Sequence, residues 1–351
     1  GFDSFRGRQL EAIMAALAGQ DCFVLMPTGG GKSLCYALVP AIRPGTVLVV
    51  SPLIALMQDQ VQALRARGLR ADLLSSTRTE ADRRRLLEDL QQHRPDTQLL
   101  YVTPELLATA GFMRCLRGAY AAGALQLVAV DEAHSISAMG HDFRPAYRQL
   151  GAVRRELPRL PLMALTATAS DRVQRDIVRQ LGMREPRLLR TSFDRPNIRY
   201  EGGCPLASRR LLALHACCSR RQPGEQQGKV PVPCTVIYCH RREDVDRVAA
   251  ALRAHGIAAA AYHAGLPGAT RSRVLQDWQA GRLAVVAATV AFGMGIDRAD
   301  VRYVLHHSLP GSLEAYYQEA GRAGRDGAPS RSIVYYSRRD RERHEFVLRR
   351  Q

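Results

Sequence analysis

The stretch Met26-Pro27-Thr28-Gly29-Gly30-Gly31-Lys32-Ser33 limits what this chain can fold into more than any other. Before it, the apolar run from Cys22 to Met26 reads as a buried strand. After it, Leu34, Cys35, Tyr36 and Leu38 read as the inner side of a helix. A strand that passes through glycines into a helix belongs to a layered α/β fold. The same glycines let successive backbone N–H groups curl around a phosphate at the helix start. The run from Pro27 and Thr28 through Gly29, Gly30 and Gly31 is thus the expected cradle for ATP. Lys32 is placed to reach the β- and γ-phosphates, and the Ser33 hydroxyl to bind Mg²⁺.

Composition sharpens the reading of Lys32. Of fifty basic residues only Lys32 and Lys229 are lysines, so a compact ammonium stands here against a strong bias to arginine. A second apolar run, Leu125 to Val130, ends in Asp131-Glu132-Ala133-His134. A carboxylate at such a strand end is where a second Mg²⁺ contact is expected, from Asp131, and Glu132 beside it is suited to activate a water. Nearly three hundred residues after the glycine loop comes Gln318-Glu319-Ala320-Gly321-Arg322-Ala323-Gly324-Arg325. Paired arginines suit a γ-phosphate, and their distance along the chain suggests an ATP site closed by two domains. Gln318, Arg322 and Arg325 join Lys32, Asp131 and Glu132 as the expected catalytic set.

The remaining pattern fits two α/β domains. Strands are expected near residues 22–26, 46–51, 99–103, 125–131, 162–166 and 188–192, then 235–239, 259–262, 283–289, 301–306 and 333–336. Helices are expected near 53–67, 80–92, 241–255 and 311–323. Phe193-Asp194-Arg195-Pro196-Asn197 interrupts this alternation, so the expected domains are 1–195 and 196–351. Residues 222–233 have loop composition. No apolar run is long enough to span a membrane, and the first residues lack a signal-peptide pattern. The eight cysteines form no CxxC pair, which favours free thiols in a reducing, intracellular setting, nuclear or bacterial. The net charge of +17 favours a polyanionic partner such as nucleic acid.

Taken together, these motifs resemble the catalytic core of the RecQ family of DNA helicases, DEAH-box members of superfamily 2. The resemblance runs from Phe5 to Asp326 and implies two RecA-like parallel-sheet domains with the ATP site in the cleft between them. Phe5-Arg6-Gly7-Arg8-Gln9 is similar to the family's adenine motif, implying that Arg6 stacks on the base and Gln9 bonds its edge, with Phe2 alongside. Ser51-Pro52-Leu53-Ile54-Ala55-Leu56-Met57-Gln58-Asp59-Gln60 and Thr103-Pro104-Glu105 resemble segments that hold the tracking strand, which assigns Pro52 to DNA. Ala164-Leu165-Thr166-Ala167-Thr168-Ala169 resembles the motif linking hydrolysis to movement. Tyr262-His263-Ala264-Gly265-Leu266 and the run Ala288 to Asp297 match further motifs, assigning His263 and Thr289 to DNA, and Gly295 and Asp297 to nucleotide. The most family-specific stretch is Gly140-His141-Asp142-Phe143-Arg144-Pro145-Ala146-Tyr147, similar to the aromatic-rich loop that senses single-stranded DNA. It implies that His141, Phe143, Arg144 and Tyr147, with His134, Thr166 and Thr168, couple DNA to the ATP site.

Three departures qualify the resemblance. Met139 stands where the family pattern has tryptophan, implying weak stimulation of hydrolysis by DNA. Gly7-Arg8 replaces the usual Pro-Gly. The sequence stops at Gln351, ahead of the zinc-binding subdomain and winged helix that often follow this core, so no zinc site is expected within it. The resulting expectation is an ATP- and Mg²⁺-dependent 3′→5′ DNA helicase core acting on single-stranded, tailed or forked DNA in repair or recombination. An RNA helicase and an ATP-switched DNA-binding or annealing module remain open beside it.

Overall fold

All the strand pairs among the described residues are parallel. Parallel neighbours need long crossovers, and the alternation of apolar runs with amphipathic helices supplies them. The computed structural model describes residues 4–75, 78–137, 144–203, 232–293, 298–338, 340 and 342. The chain divides into two compact units, Gly1–Phe193 and Asp194–Gln351.

The first unit holds β1 (Cys22–Leu25), β2 (Thr46–Val50), β3 (Ala71–Leu74), β4 (Leu99–Val102), β5 (Leu125–Val130), β6 (Leu162–Thr166) and β7 (Arg187–Arg190). They form one sheet in the order β3-β4-β2-β5-β6-β1-β7. The second unit holds β8 (Ile198–Gly203), β9 (Thr235–Tyr238), β10 (Ala259–Tyr262), β11 (Val285–Ala288), β12 (Tyr303–His306) and β13 (Ser330–Tyr335), ordered β10-β11-β9-β12-β13-β8. Central strands are buried and mostly apolar along their length because both sheet faces are covered. In β2, Leu48 and Val50 enter one core of the first unit, and Val47 and Val49 the other.

Each of the eleven expected runs overlaps a strand, and two further strands were not expected. In β3, Asp72 interrupts the apolar pattern. Its carboxylate is compensated by Arg65 at 2.7 Å and by Arg78, and it accepts from the Leu73 N–H at 2.8 Å. In β8 only Ile198 is buried, because the strand lies at a sheet edge. Backbone pairing with β13 and the bidentate Arg331–Glu201 pair, at 2.7 and 2.5 Å, hold it instead. One helix is shorter than expected. The 311–323 stretch is helical only over Leu313–Ala320, where the Ser312 hydroxyl caps the Ala315 N–H, and it gives way to turns from Gly321.

Shared register aligns the strand ends. Leu25 is level with Thr166, Val130 with Ala164, and Val50 with both Val102 and Val130. The residues after these strands therefore line one rim of the sheet, where ligands bind in open parallel sheets.

The second unit carries the chain's single tryptophan. Trp278 is fully buried, edge-on to Phe292 at 5.3 Å, with the Arg298 guanidinium 5.0 Å from its ring. Removing so large a buried ring costs about 3–5 kcal/mol. Trp278→Ala should show that loss in denaturant unfolding followed by circular dichroism, and Trp278→Phe a much smaller one. Equal stability of the Ala variant and the parent would remove Trp278 from the core.

Candidate nucleotide and nucleic-acid site

The glycine loop leaves β1 at Met26 and enters the helix Lys32–Ala37. Gly29 and Gly31 have φ of 79° and 77°, a region that L side chains avoid, so these positions need glycine. A Cβ on Gly31 would also come within 2.4 Å of the Gln9 amide nitrogen. Gly30 N–H closes the turn onto Pro27 O at 2.9 Å. The Lys32 ammonium donates to Met26 O at 3.2 Å and Pro27 O at 3.4 Å. Thr28 and Ser33 are half-buried beside it.

Gln9 braces this loop. It is buried, donates from Nε2 to Gly30 O at 3.2 Å and Gly31 O at 3.1 Å, and accepts the Arg6 N–H on Oε1 at 2.8 Å. The amide hydrogens are thus committed to the loop. Arg6 itself is exposed.

Asp131 follows β5, separated from the loop by β6 alone in the strand order. Its N–H donates to Val50 O at 2.9 Å. Burial raises the Asp131 carboxyl to about 6, the neighbouring Glu132 raises it too, and Lys32 opposes both. Gln60 hydrogen-bonds this carboxylate, and Gln60 in turn accepts from the Tyr36 hydroxyl at 2.9 Å. Glu132 has φ 48° and ψ 44°, a left-handed backbone rare outside glycine and common at functional sites. Its Oε2 lies 3.4 Å from His134 Nδ1, and that nitrogen lies 2.9 Å from the Thr166 hydroxyl. Thr166 Oγ1 also donates to Thr168 O and accepts from Thr168 N–H, both at 3.2 Å. A hydrogen-bonded path therefore runs from His134 to the Thr166–Thr168 turn, with the Glu132 carboxylate 3.4 Å from its start.

The donor set fits a nucleotide with a divalent cation. It offers backbone N–H groups in a glycine turn, one ammonium and a buried carboxylate whose charge lacks full compensation. Among the described residues no cluster of three or more His, Cys, Asp or Glu side chains could hold a metal. A cation here would lean on Asp131, the Ser33 hydroxyl and the nucleotide's own oxygens.

Further along the rim, Arg144 donates from its N–H to Ser135 O at 2.9 Å and from Nη1 to Pro52 O at 3.1 Å. The buried Tyr147 donates its hydroxyl to Asp131 O at 3.2 Å. Ser137 donates to Asp176 Oδ2 at 2.7 Å, which holds that carboxyl below its ordinary value. The residues flanking 138–143 are both held, Ser137 by Asp176 and by its N–H to His134 O at 3.2 Å, and Arg144 by Ser135 O. Phe2, Met139, His141, Phe143, Gly295 and Asp297 lie outside the described residues.

In the second unit His263 and Thr289 follow β10 and β11, and the Thr289 N–H donates to Tyr262 O at 3.2 Å. His263 is buried with Nε2 3.3 Å from Asp246. Gln318 is half-buried on the helix Leu313–Ala320. On the same helix Glu319 meets His306 Nε2 at 2.9 Å. Arg322 is buried, hydrogen-bonded to the Tyr238 hydroxyl, with Nε left without a partner. A Cβ at Gly293 would sit 3.3 Å from Arg322 Nη2, so glycine there leaves the guanidinium room. Arg325 is half-buried.

Sequence reasoning did not single out Tyr36, Asp176 or Asp246, and quoted Gln60 only as the end of a motif. Tyr36 looks like any apolar helix residue. Asp176 and Asp246 sit among ordinary charged helix positions, and nothing in their local pattern marks them.

The DEAD/DEAH box helicase family matches residues 6–177, and the helicase conserved C-terminal domain matches 226–327. ATP-dependent DNA helicase RecQ of Haemophilus influenzae is 45% identical over 97% of this chain and 52% of its own length. RecQ-like DNA helicase BLM of Xenopus laevis is 44% identical over 97% of this chain and 24% of its own. The chain thus spans between about a quarter and half of these two relatives. Among solved structures, Mycobacterium smegmatis helicase Lhr bound to ssDNA and AMP-PNP aligns with a TM-score of 0.69, 21% identity, 97% of this chain and 47% of its own, a likeness of fold.

The raised Asp131 carboxyl has a measurable consequence in metal-free protein. Between about 4 and 6 the folded state keeps a proton that the unfolded chain has released, so folding is favoured as pH falls through that window. Urea unfolding in chelator, compared with Asp131→Asn, should show the parent losing relative stability as pH rises from about 4 to 6. A difference that does not change with pH would place Asp131 in water.

Proposed function

The chain belongs to the RecQ family of DNA helicases, and from that premise we propose that it is an ATP-driven 3′→5′ motor core that tracks on single-stranded DNA and separates duplex strands. The observation that carries the reading is the buried Asp131 carboxylate near Lys32 with the half-buried Glu132 beside it, 3.4 Å from the His134 ring that meets Thr166. A structural cluster has no need of two adjacent carboxylates, one of them strained in backbone and the other short of compensating charge.

The proposed chemistry divides among named groups. Backbone N–H groups of the glycine loop hold the phosphates, and Lys32 exchanges its carbonyl partners for β- and γ-phosphate oxygens. Mg²⁺, when bound through Ser33 and Asp131, supplies charge neutralisation at the phosphates. Glu132 orients the attacking water and accepts its proton. His134 and Thr166 pass the state of that carboxylate toward Thr168. Arg325 stabilises charge on the transferring phosphoryl and Arg322 supports it. Phe2, Arg6 and Gln9 on the adenine, and Gly295 and Asp297 on the nucleotide, complete the proposed binding set.

Pro52, Arg144, Tyr147, His263 and Thr289, with His141 and Phe143, form the proposed DNA side. Arg144 links it to chemistry, because it touches Pro52 and closes the segment that begins at the acidic motif. The net charge of +17 supports a phosphate-rich track, and tailed or forked DNA in repair or recombination is the proposed setting. An intracellular location goes with that setting. Among the described residues no helix is long and apolar enough to cross a membrane.

The deciding assay compares ATP-driven unwinding of 3′-tailed DNA, matched RNA and blunt duplex. Unwinding of tailed DNA alone is expected, and a preference for RNA or absence of unwinding would overturn the reading. Lys32→Ala should abolish turnover while single-strand binding stays within about threefold, because the ammonium serves the transition state's phosphates. Arg325→Ala should lower kcat by roughly 10³–10⁵ with a modest change in nucleotide affinity. Parallel losses in both would make Arg325 a ground-state binder.

Charge generates a separate expectation. Each phosphate contact on a single strand contributes about −0.7 to the slope of log affinity against log salt. A slope steeper than about −2, read from fluorescence anisotropy between low and moderate salt, is expected for a groove of several contacts. A flat response would detach the +17 from DNA binding.

A further inference from the structure

We propose that Arg195 and Asn197, just inside the second unit, are positioning residues that set the backbone from which Arg322 and Arg325 reach. The inference rests on the reading of those two arginines given above. Sequence reasoning saw the 193–197 stretch only as a break between domains, yet its side chains point their donors into the arginine motif. Arg195 donates from Nη1 to Gly321 O at 3.4 Å, and from Nη2 to Ala323 O at 3.0 Å and Gly324 O at 2.9 Å. Asn197 donates from Nδ2 to Gly324 O at 2.8 Å and to Ala328 O at 3.1 Å. The two braces also meet each other, Arg195 Nε to Asn197 Oδ1 at 3.4 Å.

These bonds converge on one peptide group. Gly324 O accepts from Arg195, from Asn197 and from the Gly327 N–H at 3.1 Å, while Gly324 N–H donates to Val301 O at 2.9 Å. That carbonyl belongs to the peptide that leads into Arg325, so its plane fixes the direction in which Arg325 departs. Gly324 has φ 54°, and a Cβ there would come within 2.4 Å of the Asn197 amide, so the close approach requires glycine. The α-helix ends at Ala320, and only turn bonds carry on from it, from Arg322 N–H to Glu319 O at 3.2 Å and from Ala323 N–H to Ala320 O at 3.0 Å, while Gly324 N–H turns away to Val301. Arg322 is buried, hydrogen-bonded to the Tyr238 hydroxyl and with Nε unpartnered, so its side chain alone supplies few contacts to fix it. One guanidinium serves three carbonyls in a fork; a lysine ammonium at the same position has the charge but lacks the fork.

The test measures kcat and KM for ATP with saturating single-stranded DNA, DNA affinity, and thermal midpoint. The variants are Arg195→Lys, Arg195→Gln, Asn197→Ser, Arg325→Ala and Arg195→Lys with Arg325→Ala. Arg195→Lys is expected to lower kcat by about tenfold or more while KM and DNA affinity stay within about twofold. In the double variant, kcat should fall below that of Arg325→Ala by clearly less than the factor Arg195→Lys costs alone, since the part of the brace that acts through Arg325 adds nothing once that arginine is gone and only the part through Arg322 remains. Multiplied losses, or an unchanged kcat in both Arg195→Lys and Asn197→Ser, would overturn the proposal. Should Arg195→Gln fail to fold, the Lys and Ser variants decide it. If Arg325→Ala alone turns over normally, the assignment of the arginines fails and the brace with it. If Arg325→Ala collapses turnover and the brace variants do not, only the brace fails.

Discussion

Parallel pairing in common register is the constraint on which the rest depends. Once Leu25, Thr166 and Val130 end their strands side by side, the glycine loop, the Thr166–Thr168 turn and the Asp131–Glu132 pair have one rim to occupy. Residues separated by more than a hundred positions along the chain become neighbours without any specific long-range bond to bring them there. The same logic applies in the second unit, where His263 and Thr289 leave adjacent strands. Burial of both sheet faces enforces the register, because a slip of one residue would send every side chain to the opposite core.

On that rim the electrostatics are deliberately incomplete. Asp131 is buried beside another carboxylate, and Lys32 and Gln60 only partly offset the two. Compare Asp21, also buried, which receives Arg154 twice and the N–H groups of Leu162 and Arg184. The contrast separates a carboxylate kept for structure from one kept short of charge, and it supports reading Asp131 as a cation ligand.

The sheets were legible because buried parallel strands are continuous apolar runs, and the glycine loop was legible because its backbone demands show in composition. The strands β3 and β8 escaped notice for the converse reason. In β3 the buried, ion-paired Asp72 breaks a short apolar run, and in β8 an edge position leaves only Ile198 buried, so neither shows the signal. Among site residues, those contributed by strand ends stood out, since a polar residue closing an apolar run is conspicuous. Side chains that act by holding backbone did not. Gln9 was read through family resemblance as a base contact, and its position against Gly30 and Gly31 is a property of folding that no local pattern encodes. Arg195 and Asn197 looked like linker for the same reason.

The Lys32 ammonium rests on the carbonyls of Met26 and Pro27. Its charge is therefore already solvated by the loop, and an incoming anion gains only the difference between its own oxygens and two amide carbonyls. For a single small anion that difference is slight, because water must also be stripped from it. A polyphosphate engages the glycine-loop N–H groups at the same moment and shares the cost among many bonds. Under the proposed ATP reading, the loop would thereby favour chains of phosphate over a single small anion, through a contact that the lysine makes with its own strand.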